Sequence, residues 1–145
     1  SKYTKPCWET SVQYYRKAAN QGSVVGLYRM GEMMFHGAGV AQDEEHGLTM
    51  MKQAAEKDSE IIPTLVATLE HTAGSSGCAS YQLSQWDNGV GDSEFVTPSR
   101  AKSLMHLQRA ARMGHAKARR QWKLTKCFLT LSKSSFLPLI LSKLE

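Results

Sequence analysis

The side chains of this chain best suited to chemistry are five histidines (His36, His46, His71, His106, His115) and three cysteines (Cys7, Cys78, Cys127). Both types ligate metals, and a Cys/His pair can form an activated nucleophile. Their spacing supports neither role. No Cys-x-x-Cys or His-x-x-x-His pair is present, and His46 and Met50, one helical turn apart, do not make a site alone. Gly37-x-Gly39 and Gly89-x-Gly91 imitate the glycines of a phosphate loop. Each follows a helical pattern rather than a strand, and the second lacks a following Lys-Ser/Thr, so both read as helix-stop turns. The sequence points to no enzyme, no cofactor and no metal.

A second chemical feature is charge. The net charge is +5. Residues 1–94 hold 7 Lys/Arg against 12 Asp/Glu, and residues 95–145 hold 11 Lys/Arg against the single acid Glu145. A field of one sign attracts its opposite at long range. The densest part is Arg109, Arg112, Lys117, Arg119, Arg120, Lys123 and Lys126, with Trp122 among them. Arg112, Arg119, Lys123 and Lys126 can share one helix face. Such a basic end, marked by Arg112, Arg119, Arg120 and Lys123, suits an acidic protein surface or peptide. It also suits RNA, with phosphates on the cations and a base on Trp122. A solvated helix face is the plain alternative.

The elements that must carry these side chains are organised around Gly26–Asp58. Leu27, Met30, Met34 and Phe35 lie on one side of a helix. Gly31 within it costs on the order of 1 kcal/mol relative to alanine, tolerable where another backbone comes close. Gly37 and Gly39 end that helix, with Val40 turned back to the core. Asp43 is a natural N-cap, and Glu44 and Glu45 suit the first turn of a second helix. Gly47, Leu48, Met51, Ala54 and Ala55 form its buried face. The stretch predicts a helical hairpin, too small to bury its own apolar face.

The hairpin recurs. Tyr14–Gly22, Met50–Asp58 and His106–Gly114 are versions of one helix end, with Ala-Ala pairs at 18–19, 54–55 and 110–111. The first two pairs are 36 residues apart and the last two 56. Aligning them puts Ser11, Gly47 and Ser103 in register, followed by Val12, Leu48 and Leu104.

The order small–x–x–x–apolar–Gly, Gly-x-Gly-Val, Asp, then Lys/Arg-x-Ala-Ala-x-x-Gly resembles the Sel-1-like repeat. Gly26, Met30, Gly31, Phe35, Gly37, Gly39, Val40, Asp43, Ala54 and Ala55 occupy its landmarks, and Asp58 departs from it where Gly22 and Gly114 carry glycine. The resemblance covers roughly Ser11 to Ala118. It implies an all-α, right-handed αα-hairpin solenoid of tetratricopeptide-like units and a non-catalytic scaffold or adaptor whose concave groove reads a protein partner. Tyr28, Glu32, Met33 and Tyr81 are the expected groove contacts. Some bacterial members carry a disulfide in every unit. These cysteines do not recur with the repeat, which favours a reduced intracellular compartment.

In chain order the expected organisation is a single repeat domain over 1–145. It comprises a partial repeat (8–22), a full repeat (25–58), an irregular helix or insert (59–77), a degenerate repeat (78–114) and a C-terminal cap or docking tail (115–145). Pro63 suits the first turn of a helix bearing Leu65, Val66 and Leu69. That helix is either an insert between units or the first helix of a unit whose second is replaced. Ser84 stands where the contact glycine would be. Thr97-Pro98 reads as N-cap and first-turn proline before a buried face of Ala101, Leu104, Leu107 and Ala111. Lys123 replaces the next contact glycine, so the repeat stops. The apolar tail, with Phe128, Phe136, Leu137, Leu139, Ile140 and Leu141, is too broken to span a bilayer. The chain lacks an initiator Met and opens inside a second helix, the pattern of a fragment or processed product.

Overall fold

The computed structural model describes residues 7–90 and 95–133. Within them the chain is all helical: α1 (Trp8–Asn20), α2 (Val24–His36), α3 (Glu44–Lys57), a 3-10 turn (Ser59–Ile61), α4 (Ile62–Thr72), α5 (Gly77–Asp87), α6 (Arg100–Arg112) and α7 (Ala116–Lys133). This is the αα-hairpin class of Sel1 and tetratricopeptide-like solenoids. The helices form two compact units, dividing at Thr68 and Leu69 inside α4. No helix among the described residues is long and apolar enough to cross a membrane. The expectations for Ser1–Pro6, for 91–94 and for the tail beyond Lys133 lie outside the described residues.

In the first unit, α2 and α3 meet backbone to backbone. A Cβ added to Gly31 would lie 2.7 Å from the carbonyl oxygen of Gly47. One added to Gly47 would lie 2.6 Å from the amide nitrogen of Phe35. Around this contact Phe35, Leu48, Met51, Ala54 and Ala55 are buried. The connection follows the expected chemistry. Gly37 and Gly39 take left-handed φ of 71° and 72°, and Ala38 N–H donates to the Met33 carbonyl at 2.9 Å. Asp43 accepts from the His46 amide at 2.9 Å as N-cap, and Val40 packs beside Val12, Met30 and Met33.

A shorter joint links α1 to α2. Gly22, at φ 86°, ends α1, and Ser23 immediately caps α2 by accepting from Gly26 N–H at 3.1 Å. The same joint recurs between α6 and α7, with Gly114 at φ 93° and His115 Nδ1 accepting from Ala118 N–H at 3.3 Å. Asp58 breaks the series. With φ −142° it is extended rather than left-handed, and its carboxylate accepts from Glu60 N–H at 3.0 Å, starting the 3-10 turn. A 3-10 turn takes the place of the glycine joint, and α4 follows with Leu65 and Leu69 fully buried.

The second unit repeats the hairpin with a different contact. Ser103 Oγ donates to the Ser84 carbonyl at 2.9 Å, so a buried hydroxyl stands where the first unit uses bare glycine. Beyond it Leu107, Ala110 and Ala111 are buried. Two expectations need correction. Helix α6 begins at Arg100, capped by Ser99, whose backbone N–H also donates to the Asp87 carbonyl at 2.8 Å. Thr97 and Pro98 precede the cap because that bond fixes Ser99 beside the end of α5. Ala101 is exposed and Leu104 half-buried, since Ser103 rather than Ala101 faces α5. Helix α7 runs unbroken from Ala116 through Lys133.

Gly31→Ala is expected to destabilise the fold by about 1–3 kcal/mol, because its methyl meets a carbonyl that cannot retreat. Gly74→Ala, with nothing within 4 Å of the added Cβ, is the control. Thermal melts of the two variants check this. Equal melting temperatures would contradict the close contact.

Candidate docking surface

The Gly114–His115 joint turns the chain sharply, so the last residues of α6 and the first turns of α7 face one another. Arg112 comes from α6, and Arg119, Arg120 and Lys123 come from α7. With Ala111 and Trp122 they line a recess of about 420 Å³. All four residues of the expected basic end are therefore brought together. Lys126 is exposed but is not part of the lining. Trp122 is half-buried and packs on the cluster of Leu107, Ala110, Ala111 and Ala118. It forms an apolar floor beneath a cationic rim.

Helix dipoles account for only part of the rim: Arg112, in the last turn of α6, is favourably placed at that helix's negative end, but the α7 cations are not. The first turns of a helix carry positive partial charge, which disfavours cations by a few tenths of a kcal/mol each. Helix α7 nonetheless has Lys117, Arg119 and Arg120 there and no acidic residue in its first turn. Arg119 is partly committed, its Nε donating to the Ala111 carbonyl at the end of α6 at 3.4 Å. Arg112, Arg120 and Lys123 are exposed. No Asp or Glu lies between Phe95 and Lys133 to neutralise them.

The expected groove set does not assemble as such. Tyr28 is 4% exposed, and its hydroxyl pairs with Thr68 Oγ1 at 3.1 Å. Burial raises its pKa. Met33 is 6% exposed and packs with Val12 and Met30, so the expectation that it faces outward is corrected: it is core. Glu32 stays at the surface in an ion pair with Arg29, 2.7 Å away, which raises the Arg29 pKa. Tyr81 belongs to the second unit. It stacks on His115 at 4.5 Å and packs on the same cluster as Trp122.

A second recess of about 650 Å³ had no counterpart among the expected sites. Leu104 and Leu107 of α6 and Gln121, Leu124 and Phe128 of α7 line it, with Asp87 at the end of α5. Asp87 is 3% exposed, and its Oδ2 lies 3.8 Å from His106 Nε2. Asp87 Oδ1, His106 Nδ1 and the indole N–H of Trp86 have no hydrogen-bond partner among the described residues. Burial raises the Asp87 pKa and lowers that of His106, more than their mutual attraction offsets. An acidic residue closing an apolar helix reads in sequence as an ordinary solvated C-terminus, which conceals this pair.

Two opposite pH effects follow from this pair. The native Asp87 keeps its proton to higher pH than in the unfolded chain, so its destabilisation is absent at low pH and develops as pH rises through the carboxylate range. His106 behaves oppositely, destabilising as pH falls below its ordinary 6.5. Asp87→Asn is therefore expected to stabilise by about 1 kcal/mol near pH ~7, the gain shrinking toward zero only below pH ~3, where both states bind the proton. Melting curves at the two pH values check it. A gain independent of pH, or a loss near neutrality, would contradict the buried ionised carboxylate.

The family model described as Sel1 repeat matches residues 9–23, 24–59 and 79–115, more than half of the chain. Residues 60–78, which include α4, fall between matches, and α7 lies beyond the last. No curated protein and no solved structure matches the chain.

Proposed function

Since the chain belongs to the Sel1 repeat family, whose repeats are protein–protein interaction modules, we propose that it is a non-catalytic scaffold within a larger assembly, docking an acidic partner at the α6–α7 corner. The observation that carries this reading is the convergence of Arg112, Arg119, Arg120 and Lys123 on one recess, with no acid between Phe95 and Lys133. Side chains that only solubilise a helix gain nothing by converging, because like charges in proximity repel. An acidic surface relieves that repulsion and is drawn in at long range, giving fast and salt-sensitive association. Family membership supports a protein partner in general terms, and the rim supports its charge. Glu32 and Tyr81 remain available as secondary contacts at the surface of their respective units.

Trp122 favours one competing reading, an RNA-associated subunit of an organellar ribonucleoprotein complex. An aromatic among cations can stack a base while phosphates neutralise the rim. Trp122 is, however, already packed against the α6 cluster, which leaves less of its ring for stacking.

The test reverses the free cations together (Arg112→Glu, Arg120→Glu, Lys123→Glu) and leaves Arg119 to hold the end of α6. Circular dichroism and melting are expected to stay close to wild type, since all three side chains are exposed. In capture from native lysate, proteins retained by the wild type after nuclease treatment are expected to be lost with the triple variant. Recovery that collapses on nuclease treatment would support RNA instead. Recovery insensitive to the reversal would leave the rim as a solvated surface.

A further inference from the structure

We propose that the α6–α7 recess recognises a short acidic segment carrying one apolar anchor side chain, with the anchor seated on Trp122 and Ala111 and the acids on the cationic rim. This rests on the reading of the corner as an acidic-partner site and adds what that partner must present.

Charge alone does not account for the corner. A flat basic face would bind any polyanion, but here the cations surround a concavity of about 420 Å³. That volume can seat a small side chain in a recess open to solvent. Part of its lining is apolar: the methyl of Ala111 and the indole of Trp122, the latter packed on the cluster of Leu107, Ala110 and Ala118. A polyanion without an apolar group would pair with the rim and leave this floor wet. An apolar ligand without acids would fill the floor and leave the guanidinium groups unneutralised.

The two walls set the order of groups in the ligand. Arg112 stands on the α6 wall, whereas Arg119, Arg120 and Lys123 stand on the α7 wall. Cations supplied by two helices around an apolar lining match acids on both sides of an apolar residue in a single strand or turn of peptide. Arg119, through its bond to the Ala111 carbonyl, keeps the α7 wall against α6. Arg112, Arg120 and Lys123 are the charges that read the ligand.

The experiment titrates the whole chain with fluorescently labelled short peptides, followed by anisotropy at low and moderate salt. One peptide places a leucine between runs of glutamate, a second replaces the leucine by serine, and a third places the leucine between lysines. A short oligouridylate is the fourth ligand. The leucine–glutamate peptide is expected to bind at least about tenfold more tightly than its serine counterpart, the gain of burying one apolar side chain. Its binding is expected to weaken with salt and with Lys123→Glu, and the lysine peptide is expected not to bind. Equal affinity for the leucine and serine peptides would overturn the anchor while leaving an acidic-partner site intact. Failure of both glutamate peptides, or tighter binding of the oligouridylate than of either, would overturn the acidic-protein reading itself.

Discussion

The approach of α2 to α3 at Gly31 and Gly47 is the contact on which the first unit depends. Each glycine lies so close to the facing backbone that a single methyl would collide with it. Two helices this close bring small and medium side chains into the same interface, which is how Ala54, Ala55, Met51 and Phe35 become buried in so short a hairpin. The second unit reaches the same end by another route. Ser84 and Ser103 keep their side chains, and the Ser103 hydroxyl is satisfied by the Ser84 carbonyl. A buried hydroxyl is tolerated there because it has that partner.

The joints between hairpins then decide what the surface offers. At Gly22 and Gly114 a left-handed glycine and an immediate N-cap reverse the chain within two residues. At Asp58 the backbone is extended instead, and a 3-10 turn and α4 follow. The Gly114 joint bears most directly on the proposed docking corner. It brings the basic end of α6, which that helix's dipole favours, against the basic start of α7, which the α7 dipole and like-charge repulsion across the joint disfavour. The free energy given up there is the physical reason to look for an anionic ligand.

Features set by backbone chemistry were legible in the sequence. Gly31, the Gly37–Val40 turn, the Asp43 cap and the repeated Ala-Ala ends each follow from local conformational preference, and the family match frames the same segments. The four residues of the basic end were legible because adjacent helix termini joined by a short glycine turn have few ways to separate. Burial was harder to read. Tyr28 and Met33 sit on a helix whose apolar residues extend around most of its circumference, and only packing decides which of them face inward. Ser99 displaced Thr97 as the cap because of a bond to the distant Asp87 carbonyl, and the Asp87–His106 pair required the α5–α6 contact to exist. Long-range contacts of that kind leave no periodic trace.

Docking of a partner at the proposed α6–α7 corner can be read by hydrogen exchange of the whole chain with and without a saturating glutamate–leucine peptide. Slower exchange is expected only at the end of α6 and the first turns of α7, roughly Arg109 to Lys126, with α2 and α3 unchanged. Protection on α2 and α3 instead, with none at the corner, would contradict it and place recognition on the face of the first unit.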